Sequence, residues 1–154
     1  MKTKLSKALI RVEALCKSQQ LRLTVKRKQV LTVLLKTGQA ISAYEIADNY
    51  LEEFQEKIPV MSVYRILDFL VGADFVHKLQ STNKFIACSH LSCEHQHDLP
   101  QFLICIKCNQ VEEIAINANI IQQLKQSVNK TGFQLKQHQL ELSGHCSRCK
   151  KQTK

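Results

Sequence analysis

The chain has 154 residues, 44% of them hydrophobic and only two prolines, which excludes a disordered polymer and suits one ordinary domain or two small ones. No apolar run approaches ~18 residues, and Arg11 and Glu13 interrupt any signal core behind Met1-Lys2-Thr3-Lys4-Leu5; the expected compartment is the cytoplasm, with no membrane partner. The net charge is +9, and residues 1–28 carry nine Lys or Arg against the single acid Glu13, a distribution that attracts nucleic acid or an anionic surface.

Four helices are predicted in the first half. Leu5, Leu9, Val12 and Leu15–Cys16 fall on one face at helical spacing. Thr24 can cap a second helix that sends Val30, Val33 and Leu34 to a core. Ser42-Ala43-Tyr44-Glu45 is a capping box, opening a third helix with Ile46, Ala47, Tyr50 and Leu51. A fourth begins after Pro59 and closes on Gly72 at the C′ position. It turns Val63, Ile66, Leu67 and Leu70 inward and leaves Ser62, Tyr64, Arg65 and Asp68 outward. Two strand-like runs follow, Phe75–Leu79 and Lys84–Cys88, around the turn-rich Gln80-Ser81-Thr82-Asn83. Helices ending in a β-hairpin match a winged helix-turn-helix.

The texture changes near residue 84. Residues 1–83 hold one cysteine and one histidine, and residues 84–154 hold the other six cysteines and five histidines; the expected domains are therefore 1–83 and 84–154. Gln101–Ile106 and Val111–Ile116 read as strands. Asn117 caps a helix with Ile120, Ile121, Leu124 and Val128 inward, ending near Gly132. Phe133–Leu142 reads as a strand whose apolar phase shifts, which predicts a bulge near Gln137–His138. The whole is an α+β chain whose small second unit needs a metal staple or a partner subunit.

Cys105-x-x-Cys108 and Cys146-x-x-Cys149 supply that staple. Each dyad turns two thiolates to one side of a tight knuckle, and two dyads complete the tetrahedral four-sulfur set of a structural zinc. The 37-residue gap between them means that the ion ties the tail to the strand pair rather than organising one loop. The remaining candidate ligands, His77, Cys88, His90, Cys93, His95, His97, Glu112 and Glu113, form a mixed N/S/O set that suits a second zinc.

Several motifs together carry a resemblance. Ile41-Ser42-Ala43-Tyr44-Glu45-Ile46, Ser62-Val63-Tyr64-Arg65-Ile66-Leu67-Asp68-Phe69-Leu70, Phe75-Val76-His77-Lys78, Ser81-Thr82-Asn83 and Phe102-Leu103-Ile104-Cys105 look like the ferric uptake regulator family, most of all its zinc uptake regulator branch. The resemblance runs from about Leu21 to Cys149. It implies a homodimer with an N-terminal winged helix, a hinge and a C-terminal α/β dimerisation domain. It also implies a structural zinc on Cys105, Cys108, Cys146 and Cys149, and a sensing zinc near the hinge on His77, Cys88, a histidine before the first dyad and an acid after Cys108. Glu113 is preferred over Glu112 as the acid and His97 over His95 as the histidine, since Leu99-Pro100-Gln101 looks like an insertion; His90, Cys93 and His95 are taken as decoration of the loop. Val25 and Asn109 depart from the family pattern, where proline and glycine are usual.

The fourth helix has the chemistry of a recognition helix. Arg65 can donate two hydrogen bonds to a guanine edge, and Tyr64 can reach phosphate or a thymine methyl. Tyr44 resembles a DNA-contacting tyrosine of the family, while Lys26, Arg27, Lys78 and the basic N-terminus are expected on phosphates. The implied function is zinc-dependent repression of zinc-acquisition genes by a dimer on operator DNA. Iron or peroxide sensing within the same family, a zinc hydrolase and a zinc-storage protein are the alternatives.

Overall fold

The computed structural model describes residues 2–92, 100–136 and 139–150. It divides into two compact units, Met1–Glu94 and His95–Lys154. The first therefore runs past the change of texture near residue 84, because the strand that starts there is hydrogen-bonded to the one before it.

Helix α1, Lys2–Ser18, buries Ala8, Val12 and Cys16, a strict i, i+4, i+8 stripe flanked by half-buried Leu5, Leu9 and Leu15. Helix α2, Val25–Thr37, starts on Thr24, whose side chain accepts the Arg27 N–H at 3.3 Å. It stops on Gly38, whose φ of 62° is a conformation that glycine adopts without a Cβ penalty. Helix α3, Ala43–Phe54, has both bonds of the capping box: Ser42 N–H donates to Glu45 Oε2 at 2.7 Å, and Glu45 N–H donates to Ser42 Oγ at 3.2 Å. Its inner face is Ala43, Ile46 and Tyr50, and Leu51 at the edge of that face stays exposed. Tyr50 is fully buried and its hydroxyl donates to Gln29 Oε1 at 2.7 Å, so the ring fills the core without orphaning its polar tip.

Helix α4, Val60–Gly72, buries Val63, Leu67 and Leu70, with Ile66 half-buried beside them. Gly72 does not take the expected C′ position. The helix extends through it, and Asp74 adopts the left-handed conformation at φ 58° instead. Asp74 N–H then donates to Val71 O at 3.0 Å and Phe75 N–H to Leu70 O at 2.9 Å, the paired bonds of a Schellman ending. Asp tolerates this conformation better than most residues, and the longer helix seats Phe75 in the core.

Strands β1, Val76–Leu79, and β2, Lys84–Ala87, pair antiparallel with Val76 opposite Ala87 and His77 opposite Ile86. Ile41, just ahead of α3, adds reciprocal bonds to Phe85 at 2.8 and 3.0 Å, which fastens the hairpin to the helices. Cys88 and Leu91 complete the core against the helices, the latter from a short 3-10 turn over Ser89–Ser92. This is a winged helix-turn-helix.

The second unit is a three-stranded sheet with one principal helix. Strand β3, Pro100–Cys105, lies between antiparallel β4, Val111–Ala115, and parallel β5, Glu141–Gly144. Helix α5, Ala118–Asn129, begins on Asn117, whose side chain accepts the Asn119 N–H at 2.9 Å. Ile121, Leu124 and Val128 form its inner stripe at i, i+3, i+7, which leaves Ile120 off the stripe and exposed, contrary to expectation. The expected strand over Phe133–Leu142 is also shorter than predicted. Phe133 is exposed, pairing begins only at Glu141, and the predicted bulge at Gln137–His138 lies outside the described residues. Fully buried Gln101 governs this register, because its side-chain oxygen accepts the Leu140 N–H while Phe102 N–H donates to Leu140 O at 2.9 Å.

The capping box gives a direct test of the first unit. Ser42→Ala should lower its stability by about 1 kcal/mol, read as an earlier urea midpoint with an unchanged slope.

Candidate metal centre and nucleic-acid interface

Parallel pairing of β3 with β5 sets Cys105 opposite Gly144, so the end of the first knuckle meets the start of the tail. The knuckle is closed by Cys105 N–H donating to Gln110 O and Asn109 N–H donating to Cys105 O, each at 2.9 Å. Asn109 takes φ 57°, the left-handed conformation that the replacement of glycine by Asn requires. On the tail, Cys149 sits on a single helical turn, α6, Ser147–Lys150, where Lys150 N–H donates to Cys146 O at 2.9 Å. Arg148 fastens the two arms by donating to Gln110 Oε1 at 2.6 Å.

The four sulfurs of Cys105, Cys108, Cys146 and Cys149 lie within 4.8 Å of one another, with Cys108 Sγ 3.7 Å from Cys146 Sγ. None is in a disulfide. Four thiolate donors converging on one point fit a tetrahedral zinc and leave no coordination position for a substrate. The electrostatics suit an incoming cation. Backbone N–H groups of Cys146, at 3.4 Å, then of Cys108 and Lys107, point at Cys105 Sγ and hold its thiol down at about 5. The thiol of Cys146 is lowered too, chiefly by the backbone N–H of Cys149. Cys149 is pushed up to about 12, first by burial and then by the neighbouring sulfurs. The cluster thus favours thiolate at Cys105 and Cys146 and resists it at Cys149 until a cation arrives.

In the first unit, His77 lies on β1 opposite Ile86, and Cys88 follows two residues on, so both project to the same side of the hairpin. A His77 ring nitrogen and Cys88 Sγ are within 4.8 Å of each other, and both residues are buried. His90, set aside from the sequence as decoration, brings Nδ1 to 4.0 Å from Cys88 Sγ. In the second unit, Glu113 stands on β4 opposite Phe102, with Glu112 opposite Leu103. His97, Cys93 and His95 lie outside the described residues.

The exposed surface of the winged helix carries the remaining candidates. Arg65 projects outward from the second turn of α4, and Tyr44 is 64% exposed at the start of α3 rather than packed beneath it. Tyr64 is half-buried, its ring edge-on to Phe85 of the wing at 6.4 Å, and Lys78 Nζ approaches the same Phe85 ring at 5.8 Å. Arg27 lies at the start of α2. Its guanidinium lies 3.6 Å over the Phe69 ring of α4 and donates to Arg22 O, tying the start of α2 to the fourth helix.

The low Cys105 thiol has a measurable consequence. In a Cys88→Ser chain, where the four-cysteine centre is the main zinc ligand set, loading zinc at pH 7 should release fewer than four protons per ion, because Cys105 arrives already ionised. An indicator dye in weak buffer measures the count, and Cys105→Ser should abolish tight binding.

A model of the ferric uptake regulator family matches residues 18–143. The zinc uptake regulation protein of Escherichia coli (strain K12) is 35% identical over 149 residues, covering 96% of this chain and 84% of that protein. The solved structure of a zinc uptake regulator complexed with zinc and DNA is similar at a TM-score of 0.82 and 30% identity, covering 96% of this chain and 95% of that one. Holo XcZur is similar at 0.74 and 37% identity, covering 93% and 96%. The winged helix, the four-cysteine knuckle and these matches together place the chain in the ferric uptake regulator family.

Proposed function

We propose that this chain is a zinc-responsive transcriptional repressor of the cytoplasm, which binds operator DNA as a metal-loaded homodimer and represses zinc-uptake genes. The observation that carries the reading is the coexistence, in one winged-helix unit, of an outward Arg65 on the fourth helix and a buried His77–Cys88 pair. The first is a means of reading DNA, and the second is half of a metal site. Relatives named as zinc uptake regulators support the choice of metal.

Each chain takes two zinc ions in this reading. The ion on Cys105, Cys108, Cys146 and Cys149 is structural and contributes on the order of 10 kcal/mol to folding. The ion on His77, Cys88, His97 and Glu113 is regulatory. An imidazole and a thiolate favour zinc there over harder metals, which argues against iron sensing. Occupancy of this site raises DNA affinity, and by linkage DNA tightens zinc by the same factor, with a coupling of about 1–3 kcal/mol.

On DNA, Arg65 reads a guanine edge, Tyr44 and Tyr64 contact the duplex beside it, and Arg27 and Lys78 with the basic N-terminus take phosphates. A dimer presents two such helices to half-sites on one face of the duplex.

Gel shifts on duplexes enriched from a random library test the reading, with chelator, then Zn²⁺, Fe²⁺ and Mn²⁺ added separately. Zinc should be the most effective ion, whereas zinc binding without a shift would indicate storage. His77→Ala should lose the zinc response while keeping the four-cysteine ion, and an unchanged response would sink the regulatory site. Arg65→Ala should reduce the preference for the enriched sequence by about 10- to 100-fold, relaxing one position.

A further inference from the structure

Met61 is a large apolar side chain left 66% exposed in the first turn of α4. Nothing in the first unit's core claims it: that helix's buried stripe is Val63, Leu67 and Leu70. Its outward row is instead Met61, Arg65 and Asp68, at the i, i+4, i+7 spacing of one helical face. The row begins at the N-terminal end of the helix, the end that a recognition helix presents to base edges. No acidic residue stands in that first turn to repel phosphate, and Pro59 gives it no side-chain cap.

Tyr64, the other candidate for an apolar contact with DNA, is half-buried with its ring against Phe85, which fixes it toward the wing. Met61 has no such tether, and its unbranched, flexible thioether adapts to a methyl group. Four residues of helix separate it from Arg65 by about 6 Å along the axis, less than two base steps of about 3.4 Å each.

We propose that Met61 is a specificity-determining residue that packs on the 5-methyl group of a thymine lying within two base pairs of the guanine read by Arg65. That methyl is the apolar feature of the major-groove edge and belongs to thymine alone, and an apolar side chain recognises it by burial rather than by hydrogen bonding. The chain would thus read an adjacent apolar–polar pair of base edges, a thymine beside a guanine, with Met61 and Arg65. This rests on the DNA-binding reading above.

A missing-methyl scan tests it. The probe is a duplex enriched from a random library by the zinc-loaded chain, remade with uracil replacing each thymine in turn. Arg65→Ala locates the guanine by the position at which preference relaxes. The wild-type chain should then lose about fourfold in affinity at one thymine in each half-site, within two base pairs of that half-site's guanine, the value of one buried methyl. Met61→Ala should bind the thymine and uracil duplexes equally, while Met61→Leu should keep the difference. Equal binding of all uracil duplexes by the wild-type chain overturns the proposal, as does a methyl dependence that survives in Met61→Ala. Zinc-loaded chain that enriches no sequence at all overturns the DNA-binding reading itself, which separates the two failures.

Discussion

Four sulfur atoms held within 4.8 Å of one another set the terms for the second unit. Two thiolates about 4 Å apart repel by roughly 1 kcal/mol in water and about 4 kcal/mol at a protein surface, so four cannot share this space uncompensated. The backbone settles which one ionises first, by pointing three N–H groups at Cys105, and burial with the neighbouring sulfurs keeps Cys149 protonated. A divalent cation resolves the conflict, and in doing so joins the β3–β4 knuckle to the chain that follows β5. Knuckle and tail answer one coordination demand, in a unit whose helix α5 buries only Ile121.

The first unit depends on packing instead. Its core combines the fully buried Tyr50, Leu31, Leu34, Leu67 and Leu70 with Phe75 from the start of the hairpin. Two polar devices orient the fourth helix within it: the Arg27 guanidinium over Phe69, and the edge contact of Tyr64 with Phe85. Both contacts run from other elements, α2 and the wing, and so fix how the outer face of the fourth helix is presented.

Helical elements and caps were legible because each rests on local chemistry. Thr24, Ser42 and Asn117 cap where their side chains predict, and the inward stripes of α2 and α4 follow directly from spacing. The metal knuckles were legible for the same reason, since Cys-x-x-Cys encodes its own geometry. Long-range choices were not. The end of α4 turned on whether Gly72 or Asp74 took the left-handed conformation, which the seating of Phe75 decides. The short β5 turned on a hydrogen bond from Leu140 to Gln101, residues far apart in sequence whose pairing no local pattern announces. The stacking of Arg27 on an aromatic ring 42 positions later is equally invisible to a local pattern.

The separation of the two cysteine dyads also gives the second unit an order of assembly. Closing a loop of 37 residues costs roughly 3 kcal/mol in chain entropy, and β5 pairs in parallel, which a tight turn cannot arrange. The β3–β4 hairpin, joined through its own knuckle, can form early with half a metal site in hand. The second half comes only after α5 and the following loop have been traversed. Zinc capture is then the event that ends folding rather than the one that begins it, locking together two dyads that the pairing of β5 with β3 has already brought side by side.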